Sequence, residues 1–197
     1  MQRNPIPAAV LAAALSACTL QSEALNSERI ERRFGSYGIA VLEQSENIRR
    51  SSLYSTHGGA DICRTYAIVE FVDDNSVYST DIHSKVVGGA SIGATFKADG
   101  WDILKKTFYV GNVSLPATGN TITELMQLDS VTELAVHAYE LHIEKMPASI
   151  HYATIIEVHH PEYLRADDLH ELFPTTVDAG TEAQNRVRQL VLGQHDD

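Results

Sequence analysis

Two pairs of β-rich segments, each joined by a short turn, constrain the fold of this chain more than any other feature. Residues 48–55 and 62–72 flank the turn sequence HGGAD at 57–61, and residues 139–145 and 150–160 flank a turn at 145–148. Segments rich in β-branched and aromatic residues on either side of such turns indicate β-hairpins. The strands of a hairpin are antiparallel, so the chain predicts a mainly antiparallel sheet.

The other segments complete an α+β pattern. The stretch from 134 to 145 fits either a helix or a strand, and the alternation at 139–143 favours a strand. Ser27 is expected to cap a helix that ends at Gly35. Further helices are expected at 81–88, 91–98, 121–128 and 165–173, and further strands at 39–42 and 101–113. We predict one α+β domain with about six mostly antiparallel strands and helices packed on one face.

The start of the chain predicts export. Arg3 is followed by a charge-free apolar stretch at 6–15 and by small residues before Cys18. The stretch is shorter than the roughly 20 residues that span a bilayer, which is the pattern of a signal peptide. Leu15-Ser16-Ala17-Cys18 resembles the bacterial lipobox. The resemblance implies cleavage before Cys18 and a lipid on its thiol.

On this interpretation the chain has four regions. Residues 1–17 are the signal peptide, 18–26 a tether, 27–174 the folded domain, and 175–197 an acidic tail with a short amphipathic helix. The protein is then a cell-envelope lipoprotein held on a membrane by the lipid. Thr19, in place of Asp, implies the outer membrane of a Gram-negative host, on its periplasmic side.

Charge and cysteine content exclude some functions. The net charge of −11 gives no electrostatic basis for binding nucleic acid. If Cys18 carries lipid, Cys63 has no partner within the chain, and its apolar neighbours favour a buried, inert thiol.

Two motifs suggest chemistry that the predicted fold does not favour. Residues 89–93 match the G-x-S-x-G pattern of serine hydrolases, but that motif belongs to a strand–turn–helix unit of a parallel sheet. A serine hydrolase using Ser91 is therefore only a third choice, and a Gly-rich helix start can also favour an anion.

The nine histidines show no zinc-site spacing. Strict alternation separates His137 from His142, which argues against a shared ion. It places His151, Glu157 and His159 on one strand face, so a metal there stays open as an alternative. The expected case is histidines that are exposed or hydrogen-bonded, with no metal or other cofactor.

Charged residues inside apolar strands are better candidates for a site. Arg49-Arg50 and Glu157 lie within segments that should be partly buried. A buried arginine needs an anion, either a protein carboxylate or a ligand, and a buried glutamate needs a partner as well. An inward arginine and glutamate beside a Gly-rich helix start would suit a small hydroxylated carboxylate.

The order of these motifs resembles the chorismate lyase family and the related ligand-sensing domain of some bacterial regulators. Residues 29–34 resemble its opening helix, 49–53 its arginine strand, 89–93 its ligand-binding turn, and 155–161 its last strand with a glutamate four residues before a proline. The resemblance implies a pocket lined by Ile30, the backbone amide of Ile92, Glu157 and an arginine. Arg49 and Arg50 both remain open for that arginine, and Arg50 is favoured.

The resemblance also implies an activity. Members of this family remove the enolpyruvyl group of chorismate, giving pyruvate and 4-hydroxybenzoate without a cofactor. Arg50 would hold a carboxylate as a fork, and Glu157 would bind the ring hydroxyl or shuttle its proton. The expected function is thus an envelope lipoprotein that binds a small aromatic carboxylate and carries out a lyase step. The alternative is a non-catalytic envelope protein that uses a surface, such as the C-terminal tail, to bind a protein partner.

Overall fold

The fold places six strands in one antiparallel sheet. The structure is a computed structural model that describes residues 24–45, 47–72, 81–174 and 180–192. The strands are β1 (Gly38–Gln44), β2 (Ile48–His57), β3 (Ala60–Phe71), β4 (Asp102–Leu115), β5 (Thr132–Lys145) and β6 (Ala148–His159), in the order β1-β2-β3-β6-β5-β4. The helices are α1 (Asn26–Phe34), α2 (Asp81–Val87), α3 (Ile92–Ala98), α4 (Thr121–Leu125), α5 (Ala166–Leu172) and α6 (Thr181–Leu192). The predicted α+β class and antiparallel sheet are confirmed.

The hairpins form where the sequence predicts them. Strand β2 ends at His57 and β3 begins at Ala60, so Gly58 and Gly59 form a two-residue turn. Their φ angles of 58° and 84° are those that the tightest hairpin turns require and that glycine adopts without strain. The ambiguous segment before the second hairpin is the strand β5, as the alternation favoured.

Helices cover both faces of the sheet rather than one. The front face, defined by Ala67 and Val69 of β3, packs against α1, α2, α3 and α5. The back face, defined by Tyr66 and Ile68, packs against α4 and α6. The central strands carry apolar side chains on both faces, and each face has to be shielded from water.

The packed domain extends beyond both predicted boundaries. Leu25 and Asn26, assigned to the tether, are 7 % and 6 % exposed. In the segment assigned to the tail, Val187 of α6 is 2 % exposed and belongs to the back-face core. The predicted helix is therefore present, but it is part of the domain.

A β-bulge in the second hairpin changes the direction of one predicted side chain. Leu141 pairs with Ala153, but His142 pairs with His151, so Tyr152 is an extra residue in β6. The bulge moves His151 to the back face, while Glu157 and His159 remain on the front. The expectation that all three share one face was wrong, because strict alternation fails at a bulge.

Cys18 and the predicted signal peptide lie outside the described residues. Within the described part of the chain, no helix has the length and apolar character needed to cross a membrane.

Candidate functional site

A cavity lies between the front face of the sheet and helices α1 and α3. Its volume is about 80 Å³, several times the roughly 10–15 Å³ that one water molecule needs. Most of its surface is apolar, and its charged lining residues, among those that the structure describes, are Arg49, Lys105 and Glu157. The remaining lining includes side chains from all six strands and both helices, among them Leu25, Asn26, Tyr37, Ser51, Leu53, Val69, Ser91, Ile92, Tyr139 and Ile155. This lining would suit a small molecule that is largely apolar and carries few charged groups.

Arg49, and not Arg50, is the arginine of this cavity. Arg49 is 1 % exposed and lies on the front face. Arg50 follows it in β2, points to the back face, and pairs with Glu43 at the sheet edge. Successive residues of a strand face opposite sides, so only one of the two can reach the cavity. The preference for Arg50 was therefore wrong, and the open alternative Arg49 takes its place.

The Arg49 guanidinium is held by backbone oxygens, with no carboxylate within 4.0 Å among the described residues. Its Nη1 donates to the carbonyl oxygens of Val86 (2.8 Å) and Ala90 (3.0 Å), Nη2 to that of Gly89 (3.4 Å), and Nε to Ser51 Oγ (2.9 Å). These bonds fix the turn between α2 and α3. A guanidinium has five N–H donors, so one N–H remains for another acceptor, and the positive charge has no ionic partner in this part of the chain.

Lys105 supplies a second cation, which sequence reasoning missed. Its half-buried side chain lines the cavity, and its ammonium lies 4.4 Å from the centre of the Tyr139 ring. The ammonium makes no hydrogen bond, and no ion pair within 4.0 Å, with any described residue. Desolvation lowers the pKa of Lys105, and Glu157 opposes that change. Its neighbour Lys106 is exposed on the other face.

Glu157 lies at the centre of a buried polar cluster beside the cavity. It is 4 % exposed, and its Oε1 accepts a hydrogen bond of 3.0 Å from Asn26 Nδ2. Burial by itself raises the pKa of Glu157, but Lys105, His137 and His159 outweigh burial and hold that pKa below its usual range. Glu157 is therefore an ionised acceptor at neutral pH and cannot act as a proton donor there.

Two histidines flank this carboxylate in their neutral forms. Burial lowers the pKa of His137 to about 4 and that of His159 to about 3. His137 stacks on Phe173 with ring centres 4.0 Å apart, and its Nε2 lies 2.8 Å from Thr107 Oγ1.

The histidine atoms nearest Glu157 are too far away for hydrogen bonds. Its Oε2 is 3.7 Å from His137 Nδ1 and 4.0 Å from His159 Nε2. The other ring nitrogen of His159 is 3.0 Å from Thr65 Oγ1, so a proton on Nε2, facing the carboxylate, is the favourable tautomer. All three facing atoms are buried without a hydrogen-bond partner in the described part of the chain.

The other predicted site residues divide between the cavity and the core. Ile92 lines the cavity at the start of α3. Ile30 is 0 % exposed and packs in the core under α1, so its predicted place in the pocket is taken by Leu25 and Asn26, one turn earlier. The Cys63 thiol is buried, and burial raises its pKa to about 11, as expected for an inert thiol.

Ser91 also lines the cavity, but its surroundings do not match a hydrolase. It is the residue before α3 and follows a turn after α2, whereas a nucleophile elbow follows a strand of a parallel sheet. No described histidine or carboxylate hydrogen-bonds to its hydroxyl.

The signals for the missed residues were weak. Asn26 stands at a predicted tether boundary, and Lys105 belongs to a strand whose two faces are both partly polar, so neither was distinguishable from a surface residue.

Comparison of the sequence with protein-family models finds no match, and comparison with curated proteins finds no relative.

Proposed function

We propose that this protein binds a small carboxylic acid with an apolar body in the cavity under α1 and α3. The observation that carries the proposal is the Lys105 ammonium, which lines a mainly apolar cavity and has no hydrogen bond or ion pair with the described residues. A second cation, Arg49, lines the same cavity without a carboxylate partner. Two cations and one carboxylate leave a net positive charge, which the carboxylate of a ligand would neutralise.

The polar groups of the cavity favour a ligand that also carries a hydroxyl group. Glu157 is ionised, and the histidine nitrogens that face its Oε2 lie 3.7 and 4.0 Å away, too far for a hydrogen bond. An ionised carboxylate accepts hydrogen bonds only, so it would select a ligand O–H rather than a second carboxylate. The Tyr37 hydroxyl, beside Ser91 on the cavity wall, is a further group that a polar ligand atom could contact. Hydroxylated aromatic or alicyclic acids combine these features.

The reaction we propose is the one implied by the resemblance to chorismate lyase. Removal of the enolpyruvyl group from a chorismate-like acid needs no cofactor. The ether bond between the ring and the enolpyruvyl group would break, and the ring would become aromatic by losing the C–H proton of the carbon that bears the hydroxyl. A proton added to the methylene carbon of the departing enolpyruvate would give pyruvate. Lys105 and Arg49 would hold carboxylate groups, and Glu157 would bind the ring hydroxyl or shuttle the proton. We further propose that the protein is exported and held on the outer membrane by lipid on Cys18, so that the cavity faces the periplasm.

Thermal unfolding of the full-length protein in a mild detergent tests the binding step. Chorismate and 4-hydroxybenzoate should raise the melting temperature of the wild type, because they bind only the folded state. Lys105→Met should lose most of this shift and Lys106→Met should keep it, since the two lysines lie on opposite faces of β4. Retention of the shift in Lys105→Met, or no shift with any acid in the wild type, would refute the proposal.

Release of pyruvate from chorismate tests the lyase step separately. Activity that Glu157→Gln abolishes, while the acid still binds, supports a role for Glu157 in proton transfer. Binding without pyruvate release in the wild type would make the protein a carboxylate-binding protein and not a lyase.

A further inference from the structure

A second cluster of ligating side chains lies on the back face of the sheet, away from the cavity. It consists of Glu140 and His142 of β5 and His151 of β6. We propose that these three residues form a binding site for a divalent transition metal, with Zn²⁺ as the representative ion. The site is independent of the carboxylate-binding function proposed for the front face.

The bulge at Tyr152 creates this cluster. Glu140 and His142 are two residues apart in a strand and so share a face. Without the extra residue, His142 would pair with Tyr152, and His151 would point to the front. With it, His142 and His151 are direct cross-strand partners, and their rings are parallel within 12° at a centroid distance of 4.9 Å. Bulges commonly re-aim a side chain next to a functional site.

The spacing of the three ligating atoms is close to that of a metal site. One imidazole nitrogen from each histidine and one carboxylate oxygen lie within 4.8 Å of one another. Zinc bonds of about 2.0–2.1 Å in a tetrahedron put ligand atoms about 3.3 Å apart, so each pair has to approach by no more than about 1.5 Å. Rotation of the partly exposed Glu140 side chain and small ring movements can supply such a change.

The hydrogen bonding of the cluster leaves one group unsatisfied. His142 Nε2 lies 2.9 Å from Glu140 Oε2, and this contact lowers the pKa of Glu140. It satisfies two of the three residues. His151 Nε2, however, is buried and has no hydrogen-bond partner among the described residues. A simple Glu–His pair explains the first contact but not the buried nitrogen beside it, whereas a metal ion would use all three side chains.

The donor set indicates the class of ion. Two imidazole nitrogens and one carboxylate oxygen suit zinc and similar transition metals, and leave a fourth position for water or another ligand. Mg²⁺ and Ca²⁺ prefer oxygen ligands and should bind weakly here.

Zinc titration of the untagged, full-length protein, stripped of metal with a chelator, tests the proposal. The wild type should bind one Zn²⁺ in competition with a chromogenic chelator, and Mg²⁺ should not displace it. His151→Ala and Glu140→Gln should each weaken zinc binding by about tenfold or more, because each removes one metal ligand. His170→Ala, which alters an exposed histidine on α5, should bind like the wild type.

Circular dichroism of each variant separates lost ligation from lost folding. Glu140 is partly exposed, so Glu140→Gln should keep the wild-type spectrum and still bind zinc more weakly. The proposal is overturned if the wild type binds no zinc, or if His151→Ala and Glu140→Gln bind it as tightly as His170→Ala does.

Discussion

The buried histidines beside Glu157 should make the stability of this protein depend steeply on mildly acidic pH. The folded-state pKa is about 4 for His137 and about 3 for His159, whereas an unfolded chain gives histidine a pKa of about 6.5. The unfolded state therefore takes up protons first as the pH falls. The two neutral histidines contribute fully to the unfolding free energy above about pH 6.5. That contribution is lost progressively as the pH falls from there towards pH 4.

The size of the effect follows from the shifts. At pH 5.0 both histidines are still neutral in the folded protein, and about 1.5 pH units separate this pH from their unfolded pKa. At 1.36 kcal/mol per unit, each histidine removes about 2 kcal/mol of unfolding free energy between pH 7.5 and 5.0. The pair removes about 4 kcal/mol, a large part of the roughly 5–15 kcal/mol of a typical domain. Glu157 titrates below this window, so it does not contribute.

Urea unfolding followed by circular dichroism, at several pH values from 7.5 to 5.0, measures this dependence. His137→Phe keeps a ring to stack on Phe173 and removes one titrating group. Its stability should fall by about 2 kcal/mol less than that of the wild type over the same range. Other histidines contribute equally to both proteins, so the difference isolates His137. Equal pH dependence in the two proteins would refute the argument that His137 is buried in its neutral form.

Three further predictions follow from the packing and the sequence. Arg49→Met should lower the unfolding free energy by about 3 kcal/mol, because it leaves several buried carbonyl oxygens unpaired. Arg50→Met should change it by less than about 1 kcal/mol. Urea unfolding of both variants checks this prediction, and equal losses would contradict it. Val187→Ala should cost about 2 kcal/mol in the same assay if α6 belongs to the core, and a change near zero would show that α6 is not packed. Cys18→Ser should release the protein from the membrane fraction of the expressing cells, and unchanged sedimentation with membranes would contradict the lipid anchor.

The sequence predicted the strands well because their signals are local. The hairpin turns, the alternation at 139–143 and the Gly-rich helix ends each depend on a few neighbouring residues. Face assignments were less predictable. The run from Tyr66 to Val69 is apolar on both faces. Alternation therefore could not say which side of β2 meets the cavity, and the choice between Arg49 and Arg50 remained open.

Bulges and long-range contacts account for the other differences. The extra residue at Tyr152 leaves no clear sequence signal, and it reverses the direction of His151. Asn26 meets Glu157 across 131 positions of sequence, a contact that only the folded sheet creates. Glu157 itself was predictable, since an acid within an apolar strand requires a partner.

Calorimetric titration of the full-length protein with 4-hydroxybenzoate and its neutral analogue 4-hydroxybenzamide tests the central claim most directly. The two compounds have nearly the same shape, so their affinities differ through the charge that Lys105 would neutralise. A hydrogen bond to a charged group contributes about 1.5–3 kcal/mol, which predicts about ten- to hundredfold tighter binding of the acid. Lys105→Met should remove most of this preference. Equal affinity of the wild type for both compounds, or binding of neither, would contradict a carboxylate site in this cavity.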